Sequence, residues 1–329
     1  NKELVDGKTE ISYSYSVPLV FPDLYALGPI EIHSDSTFTE ARSWFVANDP
    51  VADEDAVIAY RSNTGTSTTS SPKVRFWDSS AASGAGTWTS ELELPTAGSP
   101  VRDLVAKYSP TTGKIVLVTQ SDDGNLDAYV CEIDCTSSSS WTQSTNIGNV
   151  WTTAPTVHSQ RFDVEFETNT GDAIVVYSVV STDTAQDLAY KVLPSSSVTF
   201  SGITEQFIDD STVGTDVQFG WINLDRNPTS SSSEMVLVGE DTTSNDFTAW
   251  VWDGSAWGNE VSIAAAATVT GDFDAMEVKY ASNGAYAMVA SGDGGDGVMN
   301  YFIWTTTWTS VATFDHNTGN VLDIRWLGL

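Results

Sequence analysis

Three features of the sequence predict an all-β chain folded as a β-propeller, with six blades of four antiparallel strands. The stretch 160–192 reads as three strands joined by two turns; that unit, completed by a fourth strand, recurs five times; and the chain ends on one further first strand. In this clearest unit Phe162, Val164 and Phe166 alternate with Asp163, Glu165 and Glu167, the period of a strand with one buried face. Asn169-Thr170-Gly171-Asp172 supplies a turn, and 173–177 is an unbroken apolar run suited to a strand covered on both faces.

Taken in order, residues 1–8 read as an N-terminal tail with no partner in the repeat scheme, and 9–329 as one propeller domain. Residues 9–17 alternate like a strand, and 19–27 and 29–33 are shorter extended stretches interrupted by Pro18, Pro22 and Pro29. The first blade, 41–95, has strands at 41–48, 56–62, 73–78 and 87–94. The second, 100–150, has them at 101–109, 114–121, 126–133 and 140–148. The third, 160–210, closes on 198–208. The fourth, 216–265, runs through 216–225, 234–240, 247–253 and 256–263, and the fifth, 273–316, through 273–281, 285–291, 298–304 and 307–314. Pairing of 319–329 with 9–35 would complete a sixth blade shared by the two ends of the chain and remove the open edges of the ring. A five-bladed ring with an N-terminal extension is the alternative.

The repeat is pinned on Ser43, Asp103, Asp163, Asp216, Asp274 and Asp323 in the first strands, spaced by 60, 60, 53, 58 and 49 residues. Fourth strands open on Trp88, Trp141, Phe200, Trp257 and Trp308.

Composition narrows the function. With 44 acidic against 14 basic residues the formal charge is −30, so the surface repels nucleic acid and anionic membrane. No apolar run is long enough to span a membrane, which argues against insertion. A hydrophobic content of 40%, with 12 Trp, provides for a large core. A start at Asn1-Lys2-Glu3 is compatible with a processed mature form, and a cytoplasmic start is the alternative.

Within the propeller class, D-V-E-F-E-T-N-T-G-D-A-I-V-V-Y-S (163–178), D-L-A-Y-K-V (187–192) and V-W-D-G-S-A-W (251–257) resemble the Tyr/Trp-rich repeats of secreted prokaryotic surface proteins. That resemblance implies an extracellular or cell-surface role as an adhesive, lectin-like or structural module. The sialidase Asp-box and the WD-repeat and kelch signatures are missing from the sequence, as are the G-x-S-x-G and H-E-x-x-H motifs.

Several residues are candidates for chemistry. Asp103, Asp163, Asp216, Asp274 and Asp323 would gather at one mouth of a propeller channel, as a ligand-binding ring or a glycosidase carboxylate pair. The plainer reading is that each ties down a neighbouring loop. Arg42, Arg102 and Arg161 precede three successive first strands and could grip a sugar carboxylate or pair with the abundant acids. No cofactor is expected except calcium, for which Asp122, Asp123, Asn125 and Asp127 are the best ligand set, against an ordinary solvated turn. Cys131 and Cys135, the only cysteines, read as a short-loop disulfide or as two free thiols. The expected function is a non-enzymatic structural or adhesive subunit that self-associates into a surface filament, appendage or layer. A glycan-binding propeller is the alternative, and a glycoside hydrolase a third.

Overall fold

The computed structural model describes residues 2–5, 8–11, 44–47, 56–61, 71–78, 86–150, 160–179, 186–211, 218–241, 246–263, 276–292 and 298–315. The chain divides into two compact units, 1–36 and 37–329. In the first, β1 (Lys2–Val5) and β2 (Lys8–Ile11) form an antiparallel hairpin in which Lys2 pairs with Ile11 and Val5 with Lys8. The tail therefore has a strand partner.

The second unit contains five antiparallel sheets in chain order. Sheet one holds β3 (Trp44–Ala47), β4 (Ala56–Arg61) and β5 (Pro72–Asp78), with β6 (Thr87–Trp88) and β7 (Leu92–Glu93) both paired to β5. Sheet two holds β8 (Val101–Tyr108), β9 (Ile115–Ser121), β10 (Asn125–Cys131) and β11 (Trp141–Asn149). Sheet three holds β12 (Phe162–Phe166), β13 (Ala173–Ser178), β14 (Leu188–Leu193) and β15 (Gln206–Ile208). Sheet four holds β16 (Phe219–Arg226), β17 (Met235–Asp241), β18 (Phe247–Trp252) and β19 (Trp257–Ile263). Sheet five holds β20 (Met276–Tyr280), β21 (Ala287–Gly292), β22 (Val298–Trp304) and β23 (Trp308–Asp315). Among the described residues, strands expected from the sequence and strands observed agree to within a few residues, except at two fourth strands: the one expected at 87–94 is split into β6 and β7, and the other is in sheet three. There only Gln206–Ile208 pairs, because the chain turns at 194–203 and Phe200 goes into the core instead of opening a strand.

These sheets pack as propeller blades. First strands touch first strands in succession, β3 to β8, β8 to β12, β12 to β16 and β16 to β20. Each apolar core lies between two successive sheets: Val105, Val118 and Ala128 of sheet two meet Phe162, Val164 and Tyr177 of sheet three, and Trp221, Val238 and Phe247 of sheet four meet Met276 and Val289 of sheet five. A bond that skips a sheet places an axis: Arg226 Nη1 of sheet four donates to the Tyr108 carbonyl of sheet two at 3.1 Å. The ring-closing pairing of 319–329 with 9–35 falls outside the described residues, apart from Lys8–Ile11.

The turns after the first strands interlock along one rim. Thr111 Oγ1 donates to the Thr168 carbonyl at 2.6 Å, Thr168 Oγ1 to the Asn227 carbonyl at 2.6 Å, and Asn227 Nδ2 to the Gly284 carbonyl at 3.2 Å. Gly171 sits there at φ +75°, and a Cβ on it would lie 2.6 Å from Thr112 Cγ2, so both backbone and neighbour require glycine.

Candidate functional site

The first strands bring the charged side chains together. Counting back from the interlocked turns, the residue one before the last paired position is Lys107 in β8, Glu165 in β12, Asp225 in β16 and Lys279 in β20. One register level thus presents cation, anion, anion and cation from four successive blades. Lys107 Nζ is 3.1 Å from Glu165 Oε2, Arg226 Nη1 is 2.6 Å from Glu165 Oε1, and Lys279 Nζ is 3.6 Å from Asp225 Oδ1.

Two of the carboxylates also tie blade to blade through backbone. Asp163 Oδ2 accepts from the Leu224 N–H at 2.7 Å while its Oδ1 accepts from Val164 N–H at 2.8 Å. One blade on, Asp225 Oδ2 accepts from the Tyr280 N–H at 2.6 Å. Burial pushes the Asp163 carboxyl up to about 6, against the pull of Lys107 and the two backbone donors. Burial would raise Glu165 too, but Lys107 and Arg226 beside it hold it below its ordinary value. Burial lowers Lys107 and its carboxylate neighbours raise it; the neighbours prevail. Asp225 and Glu277 are raised, by burial first.

This geometry corrects the sequence reading in three places. Phe162–Phe166 is buried on both faces, because the face carrying Asp163 and Glu165 looks onto neighbouring blades near the axis and not onto water. The five strand-entry aspartates do not occupy one repeated position. Asp163 lies opposite Val176, and the matching residues are Val105, Asn223 and Glu277, whereas Asp103 lies opposite Gln120 at the level of Arg161. Equal spacing thus sets Asp103 and Asp163 two register positions apart; Asp216, Asp274 and Asp323 fall outside the described residues. Asp122, Asp123, Asn125 and Asp127 do not form one ligand set. Asp122 pairs with Arg102 at 3.2 Å, Asp123 accepts from Ser121 Oγ at 2.6 Å, Asn125 Oδ1 accepts from Asn149, and buried Asp127 accepts from the Asn146 N–H at 2.7 Å. Among the described residues no three His, Cys, Asp or Glu side chains gather to hold a metal ion.

Arg102 and Arg161 lie close enough to lower the buried Arg161 guanidinium to about 10, burial being the larger cause, with Asp103 opposing both; Arg42 is outside the described residues. The residues that the sequence reading passed over, Lys107, Asp225, Arg226, Glu277 and Lys279, carried a signal of their own. Asp225 and Arg226 are adjacent charges and Glu277 and Lys279 alternating ones in mostly apolar first strands, and Lys107 is a lone charge after the apolar run 104–106.

The outer hairpins are chemically different. At the register position where the third strand ends and the fourth begins stand Trp77 with Trp88, Trp252 with Trp257 and Trp304 with Trp308, their ring centroids 5.4, 5.5 and 5.3 Å apart. In sheet two Cys131 faces Trp141 at the same position and is disulfide-bonded to Cys135, whose carbonyl accepts from Trp141 Nε1 at 2.8 Å.

No protein-family model matches the chain, and no curated protein matches it. Solved structures give remote likenesses. A mutant of AofleA from Arthrobotrys oligospora is 12% identical over 84% of this chain and 71% of its own, with a TM-score of 0.47. The six-bladed fucose-recognising lectin of Aleuria aurantia is 12% identical over 84% and 79%, with a TM-score of 0.44. The catalytic domain of an α-L-arabinofuranosidase from Coprinopsis cinerea is 15% identical over 79% and 86%, with a TM-score of 0.39. A lectin and a hydrolase stand alike at this distance, and neither bears on what this chain binds.

Proposed function

We propose that this protein is a non-enzymatic extracellular propeller, a structural or adhesive subunit that self-associates at a cell surface, with six blades closed by the two chain ends. The observation that carries this reading is the occupation of the axial carboxylates. Both oxygens of Asp163 and both of Glu165 are taken by backbone N–H groups, Lys107 and Arg226. A glycosidase needs one carboxyl group free to give a proton and another free to attack or to activate water. Here the acids hold blades together. The formal charge of −30 suits a solvated exterior, and a disulfide between Cys131 and Cys135 suits an oxidising compartment. Light scattering and electron microscopy of the purified chain, across salt and Ca²⁺ concentrations, test the reading: particles larger than one chain are expected, and a monomer under every condition rejects it.

A carbohydrate-binding propeller is the second reading. It is favoured by the partly exposed indoles of Trp88, Trp257 and Trp308 at the outer hairpins of sheets one, four and five, aromatic groups of the kind sugars stack on. It rests on these residues and not on the remote likeness to lectins. A glycan array decides it, with loss of signal in Trp257→Ala as the control.

A further inference from the structure

Three large apolar side chains stand exposed among the described residues: Ile133 at 73%, Phe207 at 41% and Tyr286 at 43%. The first is held out by an unusual amount of covalent and hydrogen-bonded scaffolding. Ile133 lies inside the loop that Cys131 and Cys135 close, and the loop is fixed by Trp141 Nε1 on the Cys135 carbonyl and by Thr136 Oγ1 on Asp134 Oδ1 at 2.7 Å. Asp134 adopts φ +53°, so the chain reverses directly after the isoleucine. Exposed Glu132 and Asp134 flank it. The equivalent hairpin ends of sheets four and five use paired, mutually tilted tryptophans and project no exposed large apolar side chain.

Phe207 lies on β15 opposite Ala189, and Lys191 is two residues further along β14 on the same face, within diagonal reach of it. Lys191 is partly exposed, and among the Lys and Arg side chains described it alone has neither an ion pair nor a hydrogen bond. In a chain with 44 carboxylates, a lysine without one beside an exposed phenylalanine is complementary to an exposed isoleucine followed by Asp134; Glu132 on its other side lies 3.5 Å from Lys114 Nζ of its own chain.

We propose that the Glu132-Ile133-Asp134 loop of one copy docks on the Phe207–Lys191 patch of a second copy of this chain. The inference rests on the self-association reading above and names its contact. Loop and patch are different surfaces, so the contact runs head to tail, leaves a spare loop and a spare patch at the ends, and propagates. Pre-organisation by the disulfide lowers the ordering cost of the loop. Repulsion between two strongly acidic chains requires salt to screen it.

Sedimentation velocity of the intact protein over a concentration series, in roughly 0.3 M salt where screening acts within a few ångströms, tests the proposal. Wild type should form species larger than two chains. Ile133→Ser, Phe207→Ser and Lys191→Glu, all on exposed or partly exposed positions, should each weaken association by at least about tenfold with unchanged melting curves. Mixing Ile133→Ser with Phe207→Ser restores one good contact per pair, so the mixture should stop at two copies. Variants that assemble like wild type overturn the docking and leave self-association standing. A mixture that stays monomeric, or a wild type that stops at two, overturns the head-to-tail contact. A wild type that is monomeric throughout overturns self-association itself.

Discussion

The inner strands of sheets two to five and the outer hairpins of sheets one, four and five are held by opposite chemistry. Near the axis, Lys107, Glu165, Asp225, Lys279 and Arg226 meet across blades. At the outer hairpins, Trp77–Trp88, Trp252–Trp257 and Trp304–Trp308 close first on their own strand pair. The difference follows from convergence. First strands crowd together, so a side chain there meets partners from two or three blades, and charged groups that are well paired fix the register between blades. Outer strands diverge, so an indole pair packs first within its own hairpin and reaches the next sheet by single contacts, as Trp252 Nε1 does in donating to Glu167 Oε1 at 2.6 Å. Sheet two shows how exchangeable the outer solution is, since Cys131–Cys135 with Trp141 stands where sheets one, four and five have two indoles.

The sharpest way to break this comparison is at the centre. Glu165→Gln leaves Lys107 without its charge partner in a buried setting and should cost about 3–5 kcal/mol in a denaturant melt; a loss within about 0.5 kcal/mol would make the axis no different from a surface. Breaking the disulfide by Cys131→Ala with Cys135→Ala should cost less, about 2 kcal/mol for so small a closed loop, read by the same melt. Trp308→Leu, which keeps an apolar side chain but removes the aromatic pair, should cost about 1 kcal/mol.

The gentlest effect expected is on pH dependence. Asp163 is raised to about 6 from an ordinary 3.8, so between those values the folded state holds a proton that the unfolded state has lost. Its contribution to stability therefore falls as pH rises through that window. Glu165, held below its ordinary value, has the opposite sign: its contribution is present above the unfolded value and is lost as pH falls through the lowered folded one. Melting temperatures of Asp163→Asn and wild type between pH 4 and pH 6 should show a fall in wild type that the variant lacks.

Much of the fold was legible because strand patterning and turn chemistry agree. Asn169-Thr170-Gly171-Asp172 and the apolar run after it mark a hairpin, and β12 and β13 lie there. The fourth strand of sheet three was not legible, because Phe200 has the apolar character of a strand residue while Pro194 and the serines after it turn the chain. Nor was the axial cluster. Alternating Asp163 and Glu165 with Phe162 and Val164 describes a solvated face equally well, and only the neighbouring blade turns that face into an interior. Counting aspartates by spacing failed because Asp103 and Asp163, equally spaced in the repeat, stand two register positions apart, whereas counting from the turns matches Val105 to Asp163.

The central claim is that axial carboxylates lock each first strand to the next blade. Amide hydrogen exchange in Asp163→Ala and Asp225→Ala, which remove the acceptor that an asparagine oxygen would keep, tests it most directly. The Leu224 amide should lose protection in the first variant and the Tyr280 amide in the second, each in the blade after the substitution. Loss of protection confined to the substituted residue's own sheet, with Leu224 and Tyr280 unchanged, would contradict it.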